Sequence, residues 1–150
     1  MRVIIQRVNY ASVKINNQVQ AEIQKGFLIL LGIETEDDIE EAEWLVKKIC
    51  SLRIFSDEDG KMNLDIKQIN GDILLVSQFT LHAQTKKGNR PSYIKAARPE
   101  IAIPIYEKAI NLFNLELGKE IYTGKFGADM KVSLENDGPV TIFIDSKNKE

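Results

Sequence analysis

The sequence predicts an α/β fold in which a mixed β-sheet carries its two main helices on one face. Two segments, 27–33 and 73–76, are apolar at consecutive positions, which is typical of strands covered on both faces. Two other segments have apolar residues at helical spacing, and alternating β-branched segments stand near both ends of the chain. Strand groups that flank two helices in this way favour one mixed sheet.

The N-terminal half is predicted to begin with a meander of three strands, because β-branched residues alternate with polar ones there. Gly26 interrupts this pattern just before the first buried strand. A sequence like a capping box follows at 35–38, and it predicts a helix whose apolar stripe runs from Ile39 to Ile49. The three strands of the meander are expected at 2–9, 11–15 and 18–23.

The C-terminal half is predicted to contain a loop, a second helix and several closing strands. The loop covers residues 84–98. The helix begins at Pro99 or at Pro104, since proline is tolerated in the first turn, and it ends at Gly118. Short strands are expected at 54–55, 120–123, 130–134 and 140–144, with a turn at 136–139.

The composition indicates one cytoplasmic domain covering residues 1–150. No apolar run approaches the ~18 residues of a membrane span, and charge returns too early for a secretory signal. The net charge of −2 gives no overall attraction to DNA or RNA, so only a local basic patch could bind a nucleic acid. With one cysteine and one histidine, the chain lacks the ligands of common zinc sites, and neither a metal nor another cofactor is expected.

The strand at 73–76 leads directly into Ser77, Gln78, Phe79 and Thr80. Polar groups carried inward by a buried strand need partners, because an unpaired one costs about 1–3 kcal/mol. One interpretation is a strand end whose hydroxyl groups satisfy neighbouring backbone. The other is a catalytic site in which backbone N–H groups form an oxyanion hole, with Gln78 and Thr80 pointing together at a substrate carbonyl.

A basic segment follows this candidate site within an otherwise acidic protein. It is either a solvated loop or a binding surface for phosphates, and its position beside the candidate site favours a substrate that carries phosphates. It contains no acidic residue, and its cations are Lys86, Lys87, Arg90, Lys95 and Arg98.

Four other features could have either a structural or a functional role. His82 is expected at the surface, since the sequence supplies no obvious carboxylate to orient it. Cys50 lies on the apolar side of a helix and is expected in the core. Arg7 interrupts an apolar strand face, so it either reaches water or pairs with an inward carbonyl or carboxylate. The glycines in 124–130 indicate either a tight bend or the wall of a pocket.

Four short segments occur in a specific order: Ser-Gln-Phe-Thr-Leu at 77–81, Thr-Lys-Lys-Gly at 85–88, Gly-Lys-Phe-Gly-Ala-Asp-Met at 124–130 and Asn-Asp-Gly-Pro-Val-Thr at 136–141. Each alone is a weak signal, but together they are specific. Over essentially its whole length the chain resembles the D-aminoacyl-tRNA deacylase family. His82 lies outside this pattern, and Pro104 is a local variation.

The resemblance implies a homodimer with three layers of sheets and helices that needs no metal. It implies hydrolysis of the ester between a D-amino acid and the terminal adenosine of tRNA, with glycyl-tRNA mischarged on tRNA(Ala) as a further substrate. It also implies a cis peptide at Gly138-Pro139 that enters the partner subunit's site and rejects L-amino acids. The predicted catalytic residues are Ser77, Gln78, Phe79 and Thr80, the substrate-binding residues Phe126, Ala128, Met130, Gly138 and Pro139, and the tRNA-binding residues Lys86, Lys87, Arg90, Lys95 and Arg98.

The nucleophile has two candidates. Thr80 is the family's obvious choice, although the sequence shows no base that would activate it. The second, which the resemblance also implies, is a water molecule positioned by the neighbouring ribose 2′-hydroxyl, and we favour it, with Thr80 as an orienting residue. Three other functions stay open: an editing domain for L-aminoacyl-tRNA, a non-catalytic tRNA-binding module and a small-molecule hydrolase with a threonine nucleophile.

Overall fold

A computed structural model describes residues 1–149, which form a mixed sheet of six strands, a second sheet of two short strands and two helices. The elements in chain order are β1 (Arg2–Ile15), β2 (Gln18–Ile23), β3 (Gly26–Gly32), α1 (Ile39–Cys50), β4 (Phe55–Ser56), β5 (Met62–Leu64), β6 (Asp72–Ser77), a 3₁₀ helix (Phe79–His82), α2 (Pro99–Leu117), β7 (Tyr122–Thr123) and β8 (Lys131–Asp145).

The main sheet is organised around the long strand β1. One edge of β1 pairs with β8 along nearly its full length, while the other edge pairs first with β3 and then with β2. These pairings are antiparallel, whereas β3–β6 and β6–β7 are parallel, so the sheet is mixed as predicted. Because β2 also lies against β6 and β7, the sheet curls back towards itself.

The uninterrupted apolar sequence of β6 is explained by cover on both faces. Ile73 and Leu75 face a core cluster that includes both helices. Leu74 and Val76 face a second cluster, in which the distal half of β1 and strand β2 pack over the opposite face. The helices, the β3–β6 part of the sheet and the folded-over β1–β2–β8 part therefore form three layers, with both main helices on one face, which confirms the predicted α/β class.

Local capping determines where the helices begin and end. The Asp38 carboxylate accepts a hydrogen bond from the Glu41 N–H at 2.9 Å, and the Glu41 carboxylate accepts one from the Asp38 N–H at 3.3 Å, so α1 begins with a capping box. Helix α2 begins at Pro99 and contains Pro104 in its interior. It ends at Gly118, whose φ of 67° is left-handed and favours glycine.

Several predicted boundaries were wrong. The strands expected at 2–9 and 11–15 are one continuous strand, β1, and those expected at 130–134 and 140–144 are one strand, β8. In the pairing of β1 with β8, Val8 lies opposite Asn136 but Gln6 lies opposite Thr141. The four residues 137–140 of β8 therefore form a bulge opposite the single residue Arg7. We call this bulge the Gly-Pro turn.

Within residues 1–149, neither helix has the length and apolar character needed to span a membrane.

Candidate active site

Strand β6 ends in the short 3₁₀ helix, and we call residues 77–82 at this junction the β6 turn. The Gln78 N–H donates to the Leu31 carbonyl oxygen at 2.8 Å, which joins the turn to the end of β3. At the next residue, Gly32, an added methyl group would lie 2.9 Å from the Gln78 carbonyl oxygen and 3.0 Å from Leu81 Cβ. Only glycine lets β3 approach the turn this closely, so the turn is positioned by the sheet itself.

Two polar side chains of the β6 turn, Gln78 and Thr80, contact each other. The Gln78 side-chain amide donates a hydrogen bond to Thr80 Oγ1 at 2.6 Å. Ser77, Gln78 and Thr80 are half-buried, whereas Phe79 between them is exposed. Because the amide fixes the threonine oxygen as an acceptor, the threonine hydroxyl proton is left to donate to another group.

A cleft of about 250 Å³ opens beside the β6 turn. Ser77, Gln78 and Phe79 form one wall, whereas Thr80 is not a lining residue. The other predicted residues that line it are Phe126, Ala128 and Met130. The structure therefore brings together two segments that are about 50 positions apart in the sequence.

The second wall is shaped by a tight bend. Met130 Sδ occupies the space that a side chain at Gly124 would need, and Gly127 has a φ of 76°. Phe126 packs edge-on against the Tyr106 ring with centroids 5.7 Å apart. The Tyr106 hydroxyl donates to the Leu75 carbonyl oxygen at 3.0 Å, and burial raises the pKa of this phenol, which keeps it a neutral donor. The bend is thus fastened to both α2 and β6.

Besides Val76 and Val132, the cleft is lined by four residues that the sequence did not indicate, because they come from distant elements. Their side chains are apolar and carry no local motif, so only the packing of β3, the following loop and α2 around the β6 turn reveals them. They are Leu31, Ile33, Ala97 and Ala102.

The predicted tRNA-binding loop projects beside this cleft. An antiparallel bridge closes it, with the Gln84 N–H donating to the Ser92 carbonyl oxygen at 2.8 Å and the reciprocal bond at 3.0 Å. Further along, the Thr35 N–H donates to the Lys95 carbonyl oxygen at 3.2 Å. Across residues 1–149 no ion pair involves its five exposed cations, Lys86, Lys87, Arg90, Lys95 and Arg98.

The two remaining predicted substrate-binding residues, Gly138 and Pro139, lie elsewhere. Their peptide bond is cis, both residues are exposed, and neither lines the cleft of the same chain. The Asn136 side-chain amide braces the Gly-Pro turn by donating to the carbonyl oxygens of Arg7 and Val140, each at 3.0 Å.

Arg7 is the second brace of the Gly-Pro turn. Its guanidinium is nearly buried and donates to the Ile54 carbonyl oxygen at 2.6 Å and the Asp137 carbonyl oxygen at 3.3 Å. It also forms an ion pair with the Asp137 carboxylate at 3.0 Å. Of the two interpretations of this arginine, pairing with inward oxygens is therefore confirmed.

His82 corrects the expectation of a surface histidine. The side chain is 2% exposed and packs behind Gly32, where the close approach of β3 encloses it. Its Nδ1 atom lies 3.9 Å from a Glu34 carboxylate oxygen, a neighbour that no local sequence signal indicated. Cys50 is buried as predicted, and burial raises the pKa of its thiol to about 12.

Residues 1–149 contain no group of three or more histidine, cysteine, aspartate or glutamate side chains arranged to hold a metal ion. In the described chain, the Thr80 hydroxyl oxygen has the Gln78 amide as its side-chain partner, and an amide is not a base.

The family model for D-Tyr-tRNA(Tyr) deacylase matches residues 4–145. The chain belongs to this family. The resemblance inferred from the four motifs is therefore confirmed, as is the expectation of an enzyme of this type.

Relatives and solved structures agree with the family assignment. D-aminoacyl-tRNA deacylases of Flavobacterium psychrophilum and Bacteroides fragilis are each 63% identical to the chain over 150 residues, which is the full length of both chains. A structure described as c-Myc DNA Unwinding Element Binding Protein is 39% identical, with a TM-score of 0.90 over 97% of this chain and 98% of that one. A structure described as a probable eukaryotic D-amino acid tRNA deacylase is 15% identical and shares the fold. Its TM-score is 0.83 over 95% of this chain and 97% of that one.

Proposed function

We propose that this chain hydrolyses the ester bond of D-aminoacyl-tRNA, and of glycyl-tRNA mischarged on tRNA(Ala), in the cytoplasm. The observation that carries the proposal is the cleft bounded by the β6 turn and the 124–130 bend. Phe79 and Thr80 are the first two residues of a 3₁₀ helix, so their N–H groups have no partner inside that helix. Phe79 lines the cleft and Thr80 directly follows it, and two such neighbouring donors suit an ester carbonyl that develops negative charge.

In the proposed reaction, water adds to the ester carbonyl carbon and the carbonyl oxygen becomes an oxyanion held by the N–H groups of Phe79 and Thr80. The tetrahedral intermediate then collapses, the bond to the ribose oxygen breaks, and that oxygen takes up a proton. The products are a free D-amino acid and tRNA. The ribose 2′-hydroxyl positions the attacking water, while Gln78 holds Thr80 so that its hydroxyl orients the substrate.

The choice of water as nucleophile is supported by the surroundings of Thr80. Its oxygen accepts a hydrogen bond from an amide, which cannot remove the hydroxyl proton. The single histidine is buried behind Gly32. A threonine with this environment is suited to orienting a substrate.

We further propose that handedness is sensed by the Gly-Pro turn of a second copy in a homodimer. The turn is exposed and lies outside the cleft of its own chain, which supports a role at another chain's site. The carbonyl oxygens of Gly138 and Pro139 would occupy the volume that an L side chain needs. Rejection would then be steric, and the enzyme would accept many D-amino acids and glycine.

The exposed basic loop supplies the contact to tRNA in this proposal. Its cations neutralise phosphates at the acceptor end and bring the esterified ribose to the β6 turn. These residues are Lys86, Lys87, Arg90, Lys95 and Arg98.

Hydrolysis of D-Tyr-tRNA and L-Tyr-tRNA by the purified protein tests the proposed activity. We expect release of D-tyrosine, with L-Tyr-tRNA decaying only at its spontaneous rate. Binding without release of either amino acid would instead identify a tRNA-binding module, and preferential release of L-tyrosine would identify an editing domain.

The nucleophile is tested by the variant Thr80→Ala and by tRNA ending in 2′-deoxyadenosine. We expect the variant to lose less than about 10²-fold in kcat, because loss of a true hydrolase nucleophile costs on the order of 10⁶-fold. The 2′-deoxy substrate should be nearly inert with both proteins. A folded but inactive variant, together with normal turnover of the 2′-deoxy substrate, would make Thr80 the nucleophile.

A further inference from the structure

His82, the single histidine of the chain, is the last residue of the β6 turn. It is 2% exposed, and neither ring nitrogen has a hydrogen-bond partner among residues 1–149. A buried polar group without a partner costs stability, so its presence needs a physical reason. The reaction proposed for this protein uses the β6 turn but gives the imidazole no role.

The closest charged neighbour of His82 is Glu34, which follows strand β3. One Glu34 carboxylate oxygen lies 3.9 Å from His82 Nδ1, too far for a hydrogen bond but within the range of an ion pair. The other oxygen forms an ion pair with Lys147 Nζ at 2.8 Å. Burial would raise the pKa of Glu34, but the hydrogen bond and charge of Lys147, helped by a positive charge on His82, outweigh it and lower this pKa. Glu34 is therefore an anion held beside the imidazole.

The other charges around the imidazole come from β1, the segment after β3 and the end of β8. The Arg2 guanidinium donates to the carbonyl oxygen next to His82, that of Leu81, and is paired with the Asp145 carboxylate at 2.9 Å. Among the carboxylates of residues 1–149, Glu34 is the one within ion-pair distance of His82. The charged groups on these surrounding segments are the Met1 ammonium, Arg2, Glu34, Asp37, Asp145 and Lys147.

His82 moves as one unit with the proposed oxyanion donors. The 3₁₀ helix has only four residues, from Phe79 to His82, and directly after it the Ala83 N–H donates to the Thr80 carbonyl oxygen at 3.0 Å. A methyl group added at Gly32 would lie 3.2 Å from His82 Cδ2, so β3 limits the movement of the ring on that side. A pull on the imidazole therefore acts on the N–H groups of Phe79 and Thr80.

Glu34, at the other end of the contact, is fixed to the base of the basic loop. Its backbone forms an antiparallel bridge with Ala96. The next residue, Thr35, donates its N–H to the Lys95 carbonyl oxygen at 3.2 Å. An ion pair between Glu34 and His82 would thus join the β6 turn to the segment that carries the loop cations.

We propose that His82 is a positioning residue: when protonated, it pairs with Glu34 and holds the β6 turn in the geometry that stabilises the oxyanion. This inference rests on the proposed function, which places the N–H groups of Phe79 and Thr80 at the ester carbonyl. Histidine is the side chain that ordinarily changes charge between about pH 5 and 8. The ion pair forms towards the acidic end of this range and is lost towards the alkaline end, so the rate of hydrolysis depends on pH through a residue that does not line the cleft.

Steady-state kinetics of wild type and His82→Asn between about pH 5 and 8 test the proposal on D-aminoacyl-tRNA. Asparagine keeps a polar N–H group but is uncharged at every pH. We expect the wild-type kcat to exceed that of the variant by about 5-fold or more at the acidic end and to approach it at the alkaline end, with similar KM values. Comparison at equal pH cancels the titration of the substrate's own amino group. A kcat ratio independent of pH would overturn the proposal.

Glu34→Gln is the second variant, and it keeps the imidazole if substitution of His82 prevents folding. It should abolish the same part of the pH dependence, because the carboxylate is gone. Lys147→Gln is the matched control, since it removes the charge on the other Glu34 oxygen and leaves the pair with His82 intact. It should keep the pH dependence of kcat. Wild-type pH dependence in Glu34→Gln would contradict the proposed pair.

NMR provides a readout that needs no substrate, and the single histidine makes its imidazole signals unambiguous. In wild type, the backbone N–H signals of Phe79 and Thr80 should change with pH together with the imidazole signals, and Glu34→Gln should lose this shared change. A shared change in a protein that does not hydrolyse D-aminoacyl-tRNA would refute the proposed function and support the ion pair. Hydrolysis with N–H signals that do not follow the imidazole would refute the ion pair and leave the function.

Discussion

The β6 turn and the Gly-Pro turn both present main-chain groups at the surface, but the protein positions them by different means. The β6 turn grows from a strand whose central residues are fully buried, and β3 packs directly against it through Gly32. The Gly-Pro turn bulges from an exposed part of β8, and the bonds that hold it come from the side chains of Arg7 and Asn136.

Under the function proposed above, this difference matches two separate requirements of a hydrolase that discriminates between enantiomers. Groups that stabilise a developing charge must hold their geometry closely, and a turn anchored in close-packed sheet provides that rigidity. A group that excludes the wrong enantiomer has only to occupy a volume, and a braced surface bulge is sufficient for that. Substitutions near the β6 turn should therefore alter stability and rate together, whereas those near the Gly-Pro turn should alter selectivity more than rate.

The largest effect is expected from Gly32→Ala. Its added methyl group would lie 2.9 Å from a backbone oxygen that cannot rotate away, so β3 and the β6 turn must separate. We expect a loss of about 2–3 kcal/mol in the free energy of unfolding, in the range typical of overpacked cores, with a large fall in kcat per folded molecule. Urea denaturation and single-turnover hydrolysis measure the two effects.

Gly71→Ala is the matched control for that variant. Its methyl group would lie 2.8 Å from Ile69 Cδ1, the flexible end of a side chain, at the opposite end of β6. It should lower stability with little change in kcat per folded molecule. If both variants lost kcat equally, the close approach at Gly32 would have no special role in the site.

A smaller effect on stability is expected from Arg7→Met, which removes the bonds to Ile54 and Asp137 but keeps the apolar stem. The Ile54 carbonyl oxygen loses a charged donor, while the Asp137 carboxylate is exposed enough for water to take over. We expect a loss of about 1–2 kcal/mol. Selectivity should fall further than rate, seen as a higher ratio of L-Tyr-tRNA to D-Tyr-tRNA hydrolysis.

Arg7→Lys sharpens this test, because lysine keeps the charge but lacks the planar fork that reaches several oxygens at once. It should recover part of the stability and little of the selectivity. Unchanged selectivity in both variants would mean that the Gly-Pro turn keeps its position without the guanidinium.

The same contrast explains how much of the site the sequence predicts. The β6 turn is readable from residues 73–80, because an apolar run covered on both faces followed by three polar side chains is a local signal. The sequence does not predict that β1 and β8 are each one continuous strand, since their pairing depends on a bulge opposite Arg7 that no short segment specifies. The sequence therefore predicts the β6 turn better than the strand that carries the Gly-Pro turn.

His82 shows why burial of a single polar residue is hard to predict. It follows a polar segment on a short turn, which favours exposure, yet the approach of Gly32 encloses it beside Glu34. The cleft residues Ala97 and Ala102 present the same difficulty, because small apolar side chains have no signature until α2 is placed against the sheet. In each case the deciding contact joins residues far apart in the chain.

The smallest effect concerns the far end of the β6 turn, where the Arg2 guanidinium donates to the Leu81 carbonyl oxygen at 3.1 Å and to the Asp145 carboxylate at 2.9 Å. Burial alone would raise the pKa of Asp145, but the hydrogen bond and charge of Arg2 outweigh it and hold the pKa below its usual value. A carboxylate with a lowered pKa in the folded state stabilises the protein above the unfolded pKa of ~3.9, and this stabilisation is lost as the pH falls through the folded value.

Asp145→Asn should therefore cost at most about 1 kcal/mol of unfolding free energy at pH 7, as expected for a partly exposed ion pair. The difference between wild type and variant should shrink as the pH falls below about 4, where the unfolded chain is protonated, and should be lost below the lowered folded pKa, where the wild-type carboxylate is neutral as well. The pKa of Glu34 is also lowered, since the hydrogen bond and charge of Lys147 outweigh its burial, so both proteins should still lose stability in acid. Urea denaturation between pH 3 and 7 measures the difference. A difference that stayed constant over this range would show that Asp145 acts through packing and not through its charge, and that the β6 turn, unlike the Gly-Pro turn, needs no ion pair to hold it.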